Sequence, residues 1–284
     1  MRPEAIVTLG MPPMSKALRL ALSGIPHWHC NLEGEGEGWD IWGELKGMCP
    51  VSVLTRRLDT TVWAHAALDM QHTSDAFQPA WSDLMAWRTM VENWASWPLD
   101  KRPSTVFLAN SASARYAQWV NIKLGIHPEG VVLANRGVAG IDGCTSTAVG
   151  WHAAQGSSSS STWLVTGDLA FHYDANATLS TLSKYLNQMK IVVINNNGGG
   201  IFRWLEGTQH ADAFEKLFET PPNRTVAHLA ASMGARHWTA QNSDELTEAL
   251  NEAANETNLA VVEVLTPGEI NANEVSRYLQ SFHS

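Results

Sequence analysis

The sequence is poor in the features that mark secreted, membrane-spanning and nucleic-acid-binding proteins. It contains only three cysteines, Cys30, Cys49 and Cys144, whose wide spacing fits neither a disulfide framework nor a paired-cysteine metal site. No apolar run approaches the ~18 residues of a membrane span, and the N-terminus lacks the apolar stretch of a signal peptide. Basic residues number 19 against 28 acidic ones, a net charge of −9 that argues against nucleic acid as a partner. These absences predict a protein of a reducing, cytosol-like compartment.

From residue 104 onward, strand-like and helix-like segments alternate. Apolar runs such as those at 162–167 and 190–194 are separated by stretches with helical spacing, including a helix predicted at 175–188. Alternation of this kind is typical of an α/β fold, in which a parallel sheet carries helices on both faces.

The first hundred residues are interpreted as part of a second, smaller α/β domain. A strand-like run at 5–10 precedes a helical segment at 15–24, and a long amphipathic helix is predicted over 76–97. The segment 98–103 has two prolines and three charged residues and is typical of a linker. We therefore expect one domain over 1–99 and another over 104–284.

Three loops rich in glycine or amide residues follow predicted strands, at 135–143, 166–174 and 195–202. In parallel sheets, ligands bind at the carboxyl ends of the strands, where such loops meet. Asp168 follows one strand and the triple asparagine Asn195 to Asn197 follows the next, so their side chains should lie close together. Carboxylate, amide and backbone carbonyl oxygens form a ligand set that suits Mg²⁺.

The glycines at 198–200 leave the last loop without side chains. Backbone N–H groups can then approach phosphate oxygens closely, and helix N-termini add further donors. Each motif alone is also ordinary turn chemistry, because Gly-Asp and Asn-Gly pairs are common in turns. The two motifs together, each preceded by a strand, favour a site for a Mg²⁺-bridged diphosphate.

The segments VTGDLAFHYDANATL (165–179) and IVVINNNGGGIF (191–202) together resemble the signature of the thiamine-diphosphate enzymes, in which Gly-Asp is followed, after a spacer, by two asparagines. NSASAR (110–115) and NRGVAGIDG (135–143) are similar to substrate-side loops of the branch of this family that serves menaquinone and phylloquinone synthesis. The resemblance covers residues 104–284 and, more loosely, the residues before them. It implies the thiamine-diphosphate-binding fold, preceded by part of the family's central, transhydrogenase-like domain.

The resemblance implies a role for each matching residue. Asp168, the Asn196 side chain and the Gly198 carbonyl would hold Mg²⁺ or Mn²⁺. Asn195 is the alternative to Asn196, which is preferred because it lies two residues before the first glycine. The other positions that would bind thiamine diphosphate are Gly167, Leu169, Gly199, Ile141, Ile201, Phe202 and Leu205. The apolar members of this set are also typical of plain core packing, Leu205 above all.

Arg115 and Arg136 are the residues that the resemblance connects with substrate choice. The quinone-pathway enzymes decarboxylate 2-oxoglutarate and add the product to isochorismate, and both substrates carry two carboxylates. Guanidinium groups match carboxylates with paired hydrogen bonds. Ser111 could bind a carboxylate as well or cap the helix that follows it, and capping is the stronger expectation.

Two other functions remain open from the sequence. An acetolactate-synthase-like enzyme or a 2-oxoacid decarboxylase is one, although small monocarboxylate substrates do not need two arginines. A non-catalytic assembly module that kept the fold without the reaction is the other.

The family's chemistry also uses a glutamate against the aminopyrimidine ring, and that residue belongs to a separate N-terminal domain. No segment of the sequence resembles this pyrimidine-binding domain, and complete members of the family are about twice as long. We therefore expect the diphosphate-binding half of a transferase, inactive alone, in a homo-oligomer or in a complex with a pyrimidine-domain half. The expected location is the cytoplasm, or the plastid stroma for an algal or plant source.

Overall fold

The computed structural model describes residues 3–9, 16–31, 40, 42–53, 61–136, 139–156, 161–179, 183–205, 207–208 and 210–282. Its contacts divide the chain into two compact units, Met1–Ala67 and Leu68–Ser284.

The smaller unit is built on a parallel sheet whose strands, in spatial order, are β1 (Ile6–Leu9), β2 (His27–Asn31) and β3 (Leu45–Pro50). Helix α1 (Lys16–Ala21) connects the first two strands, so the strand and helix predicted at 5–10 and 15–24 are confirmed. Cys30 and Cys49 lie opposite each other on neighbouring strands as free thiols, with their Sγ atoms 2.7 Å apart.

The larger unit contains a second parallel sheet. Its strands are β4 (Thr105–Leu108), β5 (Val131–Ala134), β6 (Thr162–Gly167), β7 (Lys190–Asn195), β8 (Arg236–Ala240) and β9 (Ala260–Leu265). Their spatial order is β5-β4-β6-β7-β9-β8, and every pairing is parallel. The predicted α/β fold with a parallel sheet is therefore confirmed.

Helices cover both faces of this sheet. The helices of the larger unit are α3 (Asp83–Ser96), α4 (Ala112–Trp119), α5 (Cys144–Ala154), α6 (Asp168–Asp174), α7 (Ala227–Ser232), α8 (Ser243–Asn255) and α9 (Gly268–Gln280). Helix α2 (Thr61–Ala76) contains the boundary between the two units. Val192 and Ile194 of β7 pack in one core with residues of α3, α8 and α9. Ile191 and Val193 alternate with them and pack in a second core with residues of α5, α6 and α7. A strand buried on both faces explains the unbroken apolar run in the sequence.

Helix α3 is shorter than the helix predicted for this segment. The helix expected over 76–97 begins only at Asp83, because the Ser82 hydroxyl caps it by accepting the Met85 N–H at 3.3 Å. Trp87 and Trp94 of α3 are fully buried in the same core as the sheet. The domain boundary predicted between residues 99 and 104 therefore lies inside the compact unit that begins at Leu68.

The connection between β6 and β7 also differs from the prediction. The segment 175–188 is predicted to be one helix, but its described residues contain short 3₁₀ turns at Ala175–Leu179 and Ser183–Tyr185, and residues 180–182 lie outside the described residues. The Thr178 hydroxyl donates to the Ala175 carbonyl at 2.7 Å, a side chain–backbone bond that competes with regular helix. The helix lies earlier, at Asp168–Asp174, within the segment that was predicted as a loop.

Glu263, near the middle of β9, is a fully buried carboxylate. It accepts hydrogen bonds from Asn195 Nδ2 at 2.7 Å, the Val226 N–H at 3.0 Å, the Thr225 hydroxyl and, at 3.2 Å, His237 Nε2. Desolvation acts to raise the pKa of Glu263, but these hydrogen bonds outweigh it and lower the pKa to about 2. The carboxylate thereby ties the end of β7 to the segment before α7.

We expect Glu263→Gln to destabilise the protein by roughly 3 kcal/mol near neutral pH, because one charged acceptor serves several buried donors. The folded-state pKa lies below the ordinary value of 4.5, so the stabilisation by the ionised carboxylate is present above pH 4.5 and is lost as the pH falls toward 2. Urea unfolding of both proteins at neutral and at acid pH measures the difference. A difference that does not shrink in acid would contradict the ionised state of Glu263.

Candidate functional site

A cavity of about 450 Å³ opens beside the carboxyl ends of β4, β6 and β7. The chain leaves β4 toward β5 and then continues into β6 on the other side of β4, so the cavity lies where the strand order reverses, the usual ligand site of such sheets. All of the sequence-predicted site residues line it: Ser111, Arg115, Arg136, Ile141, Gly167, Asp168, Leu169, Asn196, Gly198, Gly199, Ile201, Phe202 and Leu205.

Asp168 is the first residue of α6 and is only 1% exposed. Its Oδ2 atom has no hydrogen-bond partner among the described residues. Desolvation raises the pKa of Asp168 to about 7, and the nearby Asp83 charge adds to this rise, while the backbone N–H groups of Leu169 and Gly198 oppose it. A cation beside Oδ2 would favour the charged carboxylate.

Asn196 also lines the cavity and has a buried side-chain oxygen without a partner among the described residues. Its Nδ2 donates to Asp83 Oδ2 at 2.8 Å, and its buried Oδ1 has no partner within the described part of the chain. Asn195 instead uses both ends of its amide, since Nδ2 donates to Glu263 at 2.7 Å and Oδ1 accepts the Asn197 N–H at 3.1 Å. Asn195 and Asn196 are the alternative cation ligands that the sequence leaves open. The hydrogen bonds favour Asn196, because its side-chain oxygen is the one left without a partner among the described residues.

The glycine-rich loop packs closely against a π-helical turn, Glu215–Glu219. Gly198 has φ +134°, and a Cβ atom there would lie 2.3 Å from the Glu219 carbonyl oxygen. The Gly199 N–H donates to this same carbonyl at 2.7 Å, and the Gly200 N–H donates to the Gly198 carbonyl at 2.9 Å. The N–H groups of Gly199 and Gly200 therefore already donate to carbonyl groups of the protein. The sequence predicts that the glycines let N–H groups approach a phosphate closely, but these two N–H groups do not serve that purpose in the structure.

Arg115 and Arg136 are each held by a neutral acceptor from the loop after β4. Arg115 Nη1 donates to the Ser111 carbonyl at 2.8 Å, and Arg136 Nη1 donates to Asn110 Oδ1 at 2.9 Å. Arg136 Nε is buried without a partner, and Arg136 makes no ion pair with a carboxylate in the described ranges. The positive charge of Arg136 therefore remains available to an anionic ligand in the cavity.

Ser111 occupies the N-cap position of α4, but its side chain makes no capping hydrogen bond, so the expectation that it caps the helix is wrong. Its backbone angles, φ +71° and ψ −129°, are rare for a residue with a side chain. This conformation turns its carbonyl toward Arg115. Backbone strain in a residue that lines a cavity is frequently connected with function.

The apolar wall of the cavity contains Ile141, Leu169, Ile201, Phe202 and Leu205. Ile201 is 7% exposed, and the Phe202 ring packs edge-on against the Phe218 ring at 5.6 Å between centroids. These residues combine core packing with lining of the cavity. An apolar wall with a few convergent polar groups is the usual composition of a cofactor site.

Asp83 is a cavity residue that the sequence did not reveal. It lies in the first turn of α3, and its Oδ1 accepts hydrogen bonds from the Thr266 hydroxyl at 2.6 Å and from Asn271 Nδ2 at 2.9 Å. Desolvation raises the pKa of Asp83, although the hydrogen bonds from Thr266, Asn196 and Asn271 oppose the rise. In the sequence, an acidic residue directly after Ser82 is typical of the first turn of a helix. No local pattern indicates that Asp83 also lines the cavity and accepts a hydrogen bond from Asn196.

The residues of the cavity fit a divalent cation. Asp168 Oδ2 and Asn196 Oδ1 are buried without a donor from the described residues, and such atoms usually have a partner. Carboxylate and amide oxygens suit Mg²⁺, which commonly completes its octahedral shell with water and phosphate oxygens. The described residues contain no cluster of three or more His, Cys, Asp or Glu side chains that could hold a metal ion, so a cation in this cavity would also need amide and backbone oxygens as ligands.

Residues 114–264 match the family model for the C-terminal TPP binding domain of thiamine pyrophosphate enzymes. The chain therefore belongs to the thiamine-diphosphate enzyme family, as the sequence motifs predicted. Its curated relatives include several proteins named 2-succinyl-5-enolpyruvyl-6-hydroxy-3-cyclohexene-1-carboxylate synthase.

Three of these synthases align with nearly the whole chain. The protein of Flavobacterium psychrophilum is 30% identical over 298 residues, which cover 99% of this chain and 51% of that protein. The protein of Flavobacterium johnsoniae is 31% identical over 94% of this chain and 48% of its own length. The protein of Geobacillus thermodenitrificans is 32% identical over 93% of this chain and 46% of its own length. The chain spans about half the length of the curated relatives it matches.

Among the residues that the structure describes, no helix has both the length and the apolar character required to span a bilayer.

Proposed function

We propose that the chain binds thiamine diphosphate with Mg²⁺ or Mn²⁺ in this cavity and forms the diphosphate-binding half of a carboligating transferase. The observation that carries the proposal is that two residues lining one cavity, Asp168 and Asn196, each have a buried oxygen, Oδ2 and Oδ1, without a partner among the described residues. These two atoms and the Gly198 carbonyl would hold the cation. When bound, thiamine diphosphate supplies a carbon nucleophile and an electron sink for the decarboxylation of a 2-oxoacid.

The substrates that fit this cavity are polycarboxylates. The product in the name of the relatives carries a succinyl group and a ring carboxylate, which agrees with the joining of decarboxylated 2-oxoglutarate to isochorismate in menaquinone or phylloquinone synthesis. Arg136 would bind a substrate carboxylate, because among the described residues its guanidinium has the neutral Asn110 amide as its hydrogen-bond partner and its Nε has none. Arg115 and Ser111 line the same cavity and would contribute to substrate orientation. The apolar wall would exclude water from the reacting atoms.

The proposal requires a pyrimidine-binding domain beside the cavity, supplied within a homo-oligomer or by a separate polypeptide. Two measurements on the full chain test it in order. Calorimetric titration with thiamine diphosphate should show binding in Mg²⁺ and none in EDTA. Mixing the chain with the N-terminal half of such a synthase should then yield product from isochorismate and 2-oxoglutarate. A stable complex that binds the coenzyme but forms no product would favour the non-catalytic assembly module.

Gly167→Ala tests whether the coenzyme lies along the start of α6. Gly167 has φ −88°, and a Cβ atom there would meet no other atom within 4 Å, so we expect the free energy of unfolding of the coenzyme-free protein to stay within about 0.5 kcal/mol. The new methyl group would, however, occupy the cavity and weaken coenzyme binding by roughly tenfold. Parallel thermal unfolding and calorimetry measure the two effects. Unchanged affinity would place the coenzyme elsewhere.

Arg136→Ala should impair the reaction more than it impairs coenzyme binding. We expect kcat/KM for 2-oxoglutarate or isochorismate in the reconstituted enzyme to fall roughly 10- to 100-fold, the worth of a hydrogen bond to a charged group, with little change in coenzyme affinity. Arg236→Ala, which removes an exposed guanidinium from β8, is the matched control. An equal loss of coenzyme affinity and activity in Arg136→Ala would contradict the assigned role.

A further inference from the structure

We propose that Asp83 is a positioning residue that fixes the amide of Asn196 so that its oxygen, and not its nitrogen, faces the cation. The inference rests on the proposed function, because it assigns a further role within the same metal site. Asp83 lies more than a hundred residues before Asn196 in the sequence and reaches it from helix α3.

The amide of an asparagine has two ends of nearly the same shape but opposite hydrogen-bonding character. An unconstrained Asn196 could present either Oδ1 or Nδ2 to the cavity, and only Oδ1 can bind a cation. Asp83 Oδ2 lies 2.8 Å from Asn196 Nδ2 and, in an ionised carboxylate, can only accept. The reversed amide would bring two oxygens together, so this contact selects the orientation in which Oδ1 is left for a cation.

Asp83 can select the orientation because it is itself held on several sides. Its Oδ1 accepts from the Thr266 hydroxyl at 2.6 Å and from Asn271 Nδ2 at 2.9 Å, and its N–H donates to Asn271 Oδ1 at 2.7 Å. Both ends of the Asn271 amide are therefore hydrogen-bonded to Asp83. Exchanging the positions of the Asn271 side-chain oxygen and nitrogen would break both of these hydrogen bonds. The supports come from the end of β9 and from α9, so three separate elements of the larger unit define the position of one carboxylate.

The hydrogen bonds of Asp83 distinguish it from Asp168. Both oxygens of Asp83 accept hydrogen bonds from protein groups, whereas Oδ2 of Asp168 has no partner in the described part of the chain. Asp83 therefore acts on the cation through Asn196 and not as a ligand. Partners of this kind set the orientation of a metal ligand, and their loss commonly lowers metal affinity about 10- to 100-fold.

The test compares Asp83→Asn with the reciprocal exchange Asp83→Asn/Asn196→Asp in the full chain. An amide at position 83 must turn its NH₂ group toward either Asn196 or Asn271, both of which are donors there. Asn271 is fixed, so Asn196 reverses and turns Nδ2 to the cavity. In the double variant, a carboxylate at position 196 offers an oxygen to the cation and accepts from the new amide at position 83 at the same time, with the net charge unchanged.

Mn²⁺ binding followed by electron paramagnetic resonance is the readout, and circular dichroism verifies that each variant is folded. We expect Asp83→Asn to lower the Mn²⁺ affinity by about 10- to 100-fold and the double variant to restore most of the loss. Asp244→Asn, at an exposed carboxylate on α8, should bind as the wild type does. A purely structural role for Asp83 would lower thermal stability in both Asp83 variants without rescue of the affinity by the exchange.

The outcomes separate the inference from the function on which it rests. Wild-type protein that binds no Mn²⁺ would overturn the proposed metal site and the role of Asp83 together. Wild-type binding with equal affinity in Asp83→Asn, or no recovery in the double variant, would overturn the role of Asp83 alone.

Discussion

Asp168→Asn should lower the affinity of the chain for Mg²⁺–thiamine diphosphate by at least about 100-fold, because it removes the charge opposite the cation at a site with little solvent. The amide oxygen at position 168 would face the backbone N–H groups of Leu169 and Gly198, which act to lower the pKa of the wild-type carboxyl. Its NH₂ group would then occupy the place of the unpartnered Oδ2 and repel the cation.

The same substitution should leave the coenzyme-free protein as stable as the wild type or more stable. Desolvation raises the pKa of Asp168 to about 7, so the folded state carries an unfavourable charge above that pH, which the neutral amide removes. Calorimetry of coenzyme binding and thermal unfolding without metal measure the two opposite effects. Unchanged affinity in Asp168→Asn would exclude this residue as a ligand, and a large loss of stability would show that its carboxylate supports the fold.

Gly198→Ala should destabilise the protein by about 3 kcal/mol or more and abolish coenzyme binding. A Cβ atom at this position would lie 2.3 Å from the Glu219 carbonyl oxygen, and φ is +134°. The loop can relieve the overlap only by moving away from Glu219, whose carboxylate forms a bidentate ion pair with Arg203 at 2.5 Å for each contact. That movement would displace the Gly198 N–H from Asp168 and would disturb the site at the same time.

Gly234→Ala is the matched control for the free-energy cost of placing an alanine at a positive φ angle. Gly234 also has a positive φ, +67°, but a Cβ atom there would meet nothing within 4 Å. We expect it to cost about 1–2 kcal/mol from the left-handed conformation alone, with coenzyme affinity unchanged. Urea unfolding of the two variants separates the destabilisation caused by the overlap with Glu219 from the destabilisation caused by the positive φ angle. Equal destabilisation would show that the contact with Glu219 contributes nothing.

The sheet and the cavity could be predicted because their signals are local in the sequence. The runs at 162–167 and 190–194 are largely apolar because both faces of each strand are buried, and their polar ends follow directly. Since parallel strands end at the same edge, Asp168 and the asparagine turn had to be neighbours, and Asp168, Asn196 and Gly198 do line the same cavity. The sequence predicts Asn196 over Asn195 from spacing alone, and the bond of Asn195 to Glu263, which also favours Asn196, could not be predicted from the sequence.

The remaining features depend on contacts between distant residues. Asp83 meets Asn196, Thr266 and Asn271 only after α3 and α9 have packed on the sheet, and no pattern near Asp83 indicates this. The glycines were assigned to phosphate contact because the π-helical turn that packs on them is separated from them in sequence by an irregular segment. The sequence predicts that Ser111 caps its helix because serine is common at N-cap positions. That preference carries no information about the strained backbone conformation of this residue.

Crystals of the full chain grown with Mn²⁺ and thiamine diphosphate test the central claim most directly, through the anomalous scattering of manganese. The account predicts one manganese peak at about 2.1 Å from both Asp168 Oδ2 and Asn196 Oδ1, with the diphosphate of the coenzyme on its open side. Coenzyme bound in the cavity without manganese between these two oxygens, or manganese bound only elsewhere on the chain, would contradict it.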